Sequence, residues 1–134
     1  PWIVSTPGQA CAIRALEDPA YYAQRYQQTA RLRSDLAREL AFATGLEILD
    51  GAANFVLAHT GPLTASKLTE RCAREGVYIR DLTSLSGVFG GRWVRLAVPA
   101  PERLERLVAA VGHACGSERA HSVRGRPAPR PAPS

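Results

Sequence analysis

Seven residues, Arg92-Trp93-Val94-Arg95-Leu96-Ala97-Val98, constrain the fold more than any other stretch of the chain. Side chains alternate between two faces along a strand, so Val94, Leu96 and Val98 fall on one face and Trp93, Arg95 and Ala97 on the other. A strand with one apolar face needs neighbours that pair with its backbone and a second layer that covers that face. The order of the remaining segments supplies both.

Thr6-Pro7-Gly8-Gln9 reads as a helix start, with Thr6 as the cap, Pro7 at the first helical position and Gln9 closing a capping box. This helix should run to about Leu16. Asp18-Pro19 repeats the signal. Tyr22, Tyr26, Thr29, Arg33, Leu36 and Leu40 then follow a three-or-four-residue rhythm, which predicts a long amphipathic helix to about Thr44 with Gly45 as its left-handed cap. Residues 46–49 and 54–59 read as short strands around an Asp50-Gly51 turn. Residues 64–75 read as a helix stopped by Gly76, residues 77–80 as a third strand, 81–91 as a Gly/Ser-rich loop and 92–98 as the fourth strand. Pro101 opens a last helix with Leu104, Leu107, Val108 and Val111 on one face.

The order helix, strand, strand, helix, strand, strand, helix implies an α/β fold of the two-layer α+β kind, a small, largely antiparallel sheet covered by helices. From about Gly116 the chain is Arg, Pro, Ala and Ser, which cannot bury enough apolar surface to order itself. The expected organisation is one domain over residues 1–115 and a disordered tail over 116–134.

The tail also carries most of the charge. The 134 residues sum to +5, and residues 117–134 contribute +3 of it through four arginines against Glu118 alone. The folded part is therefore not marked as a nucleic-acid-binding face. No run of about 18 apolar residues is present to span a membrane, and no secretory signal is seen, so a cytoplasmic protein is expected. Cys11, Cys72 and Cys115 are odd in number and form no CxxC pair, and the three histidines show no ligand spacing, so no metal site is expected.

Paired catalytic carboxylates, a nucleophile elbow, a GxxxxGK loop and GxGxxG are all absent from the sequence. What remains is Arg95, a charge in mid-strand. A guanidinium there can offer two parallel N–H donors to a carboxylate or phosphate, or it can be a solvated strand arginine paired to a protein carboxylate. Arg80 ends the third strand with Asp81 beside it, and the same two readings apply. The residues alone lead to an α/β domain with a possible anion-binding arginine.

Five segments in order resemble the C-terminal part of the fold-type I pyridoxal-phosphate (PLP) aminotransferases, in the histidinol-phosphate aminotransferase branch. They are Pro1-Trp2-Ile3-Val4-Ser5 with Gln9, Asp18-Pro19-Ala20-Tyr21, Ala53-Asn54-Phe55-Val56-Leu57, Gly76-Val77-Tyr78-Ile79-Arg80-Asp81 and Trp93-Val94-Arg95-Leu96-Ala97-Val98. Together they run over residues 1 to about 114, and threonine-phosphate decarboxylases share most of them. The resemblance implies that Arg95 grips the acidic group of the substrate and that Arg80 helps hold a substrate phosphate. It gives Asn54 no firm role.

It also implies an amino transfer between an amino acid or amino-alcohol phosphate and a 2-oxo acid, with PLP as cofactor, in a homodimer. Such enzymes hold PLP on a lysine. The one lysine, Lys67, does not match that motif and falls on a predicted polar helix face. No catalytic and no cofactor-binding residue is therefore expected in this chain, PLP belongs to a large domain outside it, and the chain alone is expected to be inactive. The rival expectations are a PLP-dependent decarboxylase of phosphorylated amino acids and a non-catalytic anion-binding module.

Overall fold

The computed structural model describes residues 4–116; the expected tail lies outside the described residues, as do Pro1, Trp2 and Ile3. Four helices and four strands occur among them, in the order α1, α2, β1, β2, α3, β3, β4, α4.

Helix α1 (Thr6–Leu16) starts one residue earlier than its sequence suggests. Ser5, in an extended conformation, is the cap, and its Oγ accepts the Gly8 N–H at 3.3 Å. Thr6 is already helical, and Pro7 falls within the first turn, where a missing N–H costs no helical bond. Gln9 does not close the expected box; its Nε2 donates to the Val4 carbonyl at 3.0 Å. Helix α2 (Pro19–Thr44) follows the expectation at both ends. Asp18 Oδ1 accepts the Tyr21 N–H at 3.1 Å, and Gly45 adopts φ +71° while its N–H caps the Ala41 carbonyl at 2.9 Å. A side chain with a Cβ is strained at that φ.

Only the second half of α2 packs as the periodicity suggests. Leu36, Leu40 and Ala43 are buried, whereas Tyr26 is 71% exposed and α1 buries nothing. Arg33 is not a core residue. It pairs with Asp50 and donates to the Ala53 carbonyl at 3.1 Å, pinning the first strand pair to the helix.

The sheet holds β1 (Ile48–Asp50), β2 (Phe55–His59), β3 (Arg80–Asp81) and β4 (Trp93–Ala97), in the order β1-β2-β4-β3, antiparallel throughout. Two local expectations shift. Asp50 ends β1 rather than turning, so the connection occupies residues 51–54. The third strand is two residues long, not the four of residues 77–80. The cause is the end of helix α3 (Ala65–Arg74), where Gly76 takes φ +72° and the Val77 N–H closes back on the Cys72 carbonyl at 3.0 Å. That backbone group is consumed by the helix end and is lost to the sheet. Val77 and Ile79 pack on the core instead.

Helix α4 (Leu104–Ala114) follows a one-turn 3-10 helix over Pro101–Arg103. Its Val108 and Val111 are fully buried, with Leu104 and Leu107 partly so. Val56 and Ala58 of β2 and Val94 and Leu96 of β4 meet α2, α3 and α4 in one core. All three helices cover the same sheet face, so the other face carries no helix of that core. The structure is the two-layer α/β arrangement expected. Among the described residues no helix is long and apolar enough to cross a membrane.

Candidate substrate-binding face

Strand β4 divides as its alternation requires. Val94 and Leu96 are fully buried, Trp93 and Arg95 are half-buried, and Ala97 is exposed. Residues opposite one another in an antiparallel pair send their side chains to the same face. Arg95 opposes Leu57 of β2 on one side and Arg80 of β3 on the other. The structure thus brings together the two arginines that sequence reasoning singled out, as cross-strand neighbours on the face opposite the helices.

Like charges directly opposite each other destabilise a sheet. Nothing among the described residues relieves this pair: no ion pair reaches Arg80 or Arg95. Four other arginines are ion-paired, Arg14 with Glu17, Arg33 with Asp50, Arg38 with Asp35 and Arg74 with Glu70. The carboxylate nearest in sequence, Asp81, is turned to other work. Its Oδ1 accepts the Thr83 N–H at 2.7 Å and the Thr83 hydroxyl at 2.5 Å, and its Oδ2 accepts the Ser66 hydroxyl at 2.8 Å. The hydrogen bond from the Thr83 hydroxyl, followed by those from the Thr83 N–H and Ser66, holds its carboxyl below the ordinary range against the opposing effect of burial. Asp81 thereby ties the loop after β3 to the start of α3 and leaves both guanidiniums uncompensated.

The loop itself is built from turns. Gly90 and Gly91 take φ +53° and +71°, the Arg92 N–H closes on the Phe89 carbonyl at 3.0 Å, and Arg92 Nη1 donates to the Gly61 carbonyl at 2.6 Å. This fixes where β4 begins and so which residues face which way.

Three residues on the same face were not singled out from sequence: Phe55, Leu57 and His59 of β2. The Arg95 guanidinium carbon lies over the Phe55 ring, 5.2 Å from its centroid. His59 meets Trp93 edge-on at 5.2 Å between ring centroids, and its Nδ1 accepts the Gly61 N–H at 3.3 Å. The signal was the alternation of β2, which puts Phe55, Leu57 and His59 on one face as plainly as that of β4 does. Asn54 has an exposed side chain, and its carbonyl accepts the Val98 N–H at 2.9 Å, extending the β2–β4 ladder.

The described residues contain no group of three potential metal ligands, and all three cysteines are unpaired. Burial pushes the Cys72 thiol up to about 12, with smaller contributions from Cys115 and Glu75. It is an inert core residue.

A family model described as aminotransferase class I and II matches residues 1–111. This chain belongs to the class I and II aminotransferases. Among curated aminotransferase relatives, the histidinol-phosphate aminotransferase of Methanocella arvoryzae is 31% identical over 117 residues, covering 87% of this chain and 31% of the relative. That of Methanococcoides burtonii is 31% identical over 110 residues, covering 82% and 29%. A solved structure, a decarboxylase from Sulfurospirillum multivorans, superposes with a TM-score of 0.66 at 21% identity, covering 84% of this chain and 32% of that one. It shows the shared fold. The chain spans about a third of the length of the aminotransferases it matches.

Aminotransferases of this family depend in general on PLP, held by a lysine amine. The residues described here do not fit that group. Lys67, the one lysine, is exposed on α3, in the layer on the far side of the sheet from Arg80 and Arg95. The face with the arginines offers guanidiniums, aromatic rings and an imidazole, and no primary amine.

Proposed function

We propose that this chain supplies the substrate-gripping arginines of a PLP-dependent aminotransferase whose cofactor-holding groups lie outside it. The observation that carries the reading is that Arg80 and Arg95 stand opposite each other in register on the face away from the helices, neither in an ion pair among the described residues. Two arginines at opposed positions on one sheet face can each offer planar N–H donors to the carboxylate or phosphate of a small molecule. Binding such an anion relieves their mutual repulsion.

In this reading residues 1–115 form the small domain. Arg95 fixes the acidic end of an amino acid or amino-alcohol phosphate, and Arg80 takes the second share of a phosphate. Holding that end sets the orientation of the reacting carbon relative to the rest of the active site. Trp93, Phe55 and Leu57 line the same face, so covering it by the remainder of the enzyme excludes water around the bound anion. The partners are small acidic substrates, a 2-oxo acid acceptor and, by family resemblance, a second copy of the enzyme, in the cytoplasm.

The test is an assay of the whole enzyme containing this chain with L-histidinol phosphate and, separately, with a phosphorylated amino acid, each with and without a 2-oxo acid. Amino transfer that requires the acceptor supports the reading. Acceptor-independent release of CO2 from a phosphorylated amino acid replaces it with a decarboxylase that uses the same arginines.

A further inference from the structure

The geometry points to Phe55 as a positioning residue for Arg95, an inference that rests on reading Arg80 and Arg95 as an anion grip. An arginine grips an anion well only if its guanidinium is held in place while its N–H edges stay unoccupied. A carboxylate neighbour would hold the group and consume two donors at once. An aromatic ring attracts the guanidinium through its quadrupole, and phenylalanine has no acceptor to compete for the N–H groups.

The surroundings of Arg95 meet this requirement at one place. Among the described residues its guanidinium makes no hydrogen bond or ion pair, and its one partner is the Phe55 ring at 5.2 Å. Register explains the contact. Phe55 opposes Ala97, and Arg95 opposes Leu57, so Phe55 and Arg95 are diagonal neighbours on one face. Ala97, with only a methyl group, leaves the Phe55 ring room to lean towards Arg95. On the other flank stands Arg80, whose charge repels Arg95 towards β2, where the ring lies. Repulsion from one strand and attraction from the other both direct the guanidinium over Phe55, with its donors uncommitted.

The experiment uses the full 134-residue chain, with ¹⁵N relaxation of the arginine Nε–H groups and a titration with inorganic phosphate. Wild type is compared with Phe55→Leu, which keeps apolar bulk, and Phe55→Tyr, which keeps the ring; thermal midpoints confirm folding. In wild type the Arg95 Nε–H is expected to be more ordered than that of Arg80. Phe55→Leu should loosen Arg95, leave Arg80 unchanged and weaken phosphate binding roughly 2- to 5-fold. Phe55→Tyr should preserve both properties. Equal order of Arg95 in wild type and a folded Phe55→Leu overturns the inference. If Phe55→Leu loosens Arg95 while the arginine signals of wild type ignore phosphate, Phe55 keeps its role and the anion-grip reading falls instead.

Discussion

At the scale of single residues, Arg95 differs from the chain's compensated arginines because its surroundings leave its donors unspent. A hydrogen bond to a charged group contributes roughly 1.5–3 kcal/mol, so Arg95→Ala in the whole enzyme should lower kcat/KM by about 10- to 150-fold. Arg95→Lys should recover only part of this, since an ammonium lacks the planar fork. Arg80→Ala should harm phosphorylated substrates more than plain amino acids. Steady-state kinetics of the three variants, with folding checked by circular dichroism, decide the matter. A folded Arg95→Ala with unchanged kcat/KM would remove Arg95 from the site.

Asp81 yields a second expectation at this scale. Its folded carboxyl sits below the ordinary value, chiefly through Thr83. Such a group stabilises the fold above the unfolded carboxylate value, about pH 3.9, and that contribution is lost as pH falls through the folded value. Thermal midpoints of wild type should therefore drop on acidification below about pH 4. Asp81→Asn should begin lower at neutral pH and show a shallower drop. Parallel curves for the two proteins would mean that Asp81 does not carry this dependence.

At the scale of elements, β4 is the strand on which both faces depend. It is hydrogen-bonded on both sides, to β2 and to β3, and its Leu96 is buried in the core that α2, α3 and α4 share. Leu96→Ala removes buried methyl groups and leaves a cavity, so it should cost about 2–5 kcal/mol of stability, measured by urea unfolding. Ala97→Ser, on the exposed side of the same strand, should change stability by less than about 0.5 kcal/mol. Comparable losses at the two positions would contradict the facing of this strand.

At the scale of the whole molecule, the amine needed to hold PLP is missing from the arginine face. The 134-residue chain mixed with equimolar PLP should show no stoichiometric absorbance of a lysine-bound cofactor and no amino transfer, and Lys67→Ala should change neither. Cofactor absorbance abolished by Lys67→Ala would place the chemistry in this chain after all.

Much of this was legible in the sequence because it is decided locally. Asp18-Pro19 and Gly45 set the ends of α2 through backbone hydrogen bonds within a turn of each residue, and alternation assigned every residue of β4 to a face. The long helix was right in extent, yet its stripe could not tell that the half holding Tyr26 packs on none of the described core. The first helix starts at Thr6 rather than Pro7 because two adjacent hydroxyls, Ser5 and Thr6, can both cap and only backbone conformation selects between them. The third strand shortened because the end of α3 took the Val77 N–H, a competition between two elements for one group. The sequence by itself determined the order of elements, the faces of the strands and the presence of two arginines without an obvious purpose. Only the tertiary structure decided that Arg80 stands opposite Arg95, that Asp81 is spent on Thr83 and Ser66, and that Phe55 lies beneath the guanidinium. Register between strands distant in sequence is set by packing across the whole sheet, which no local pattern records.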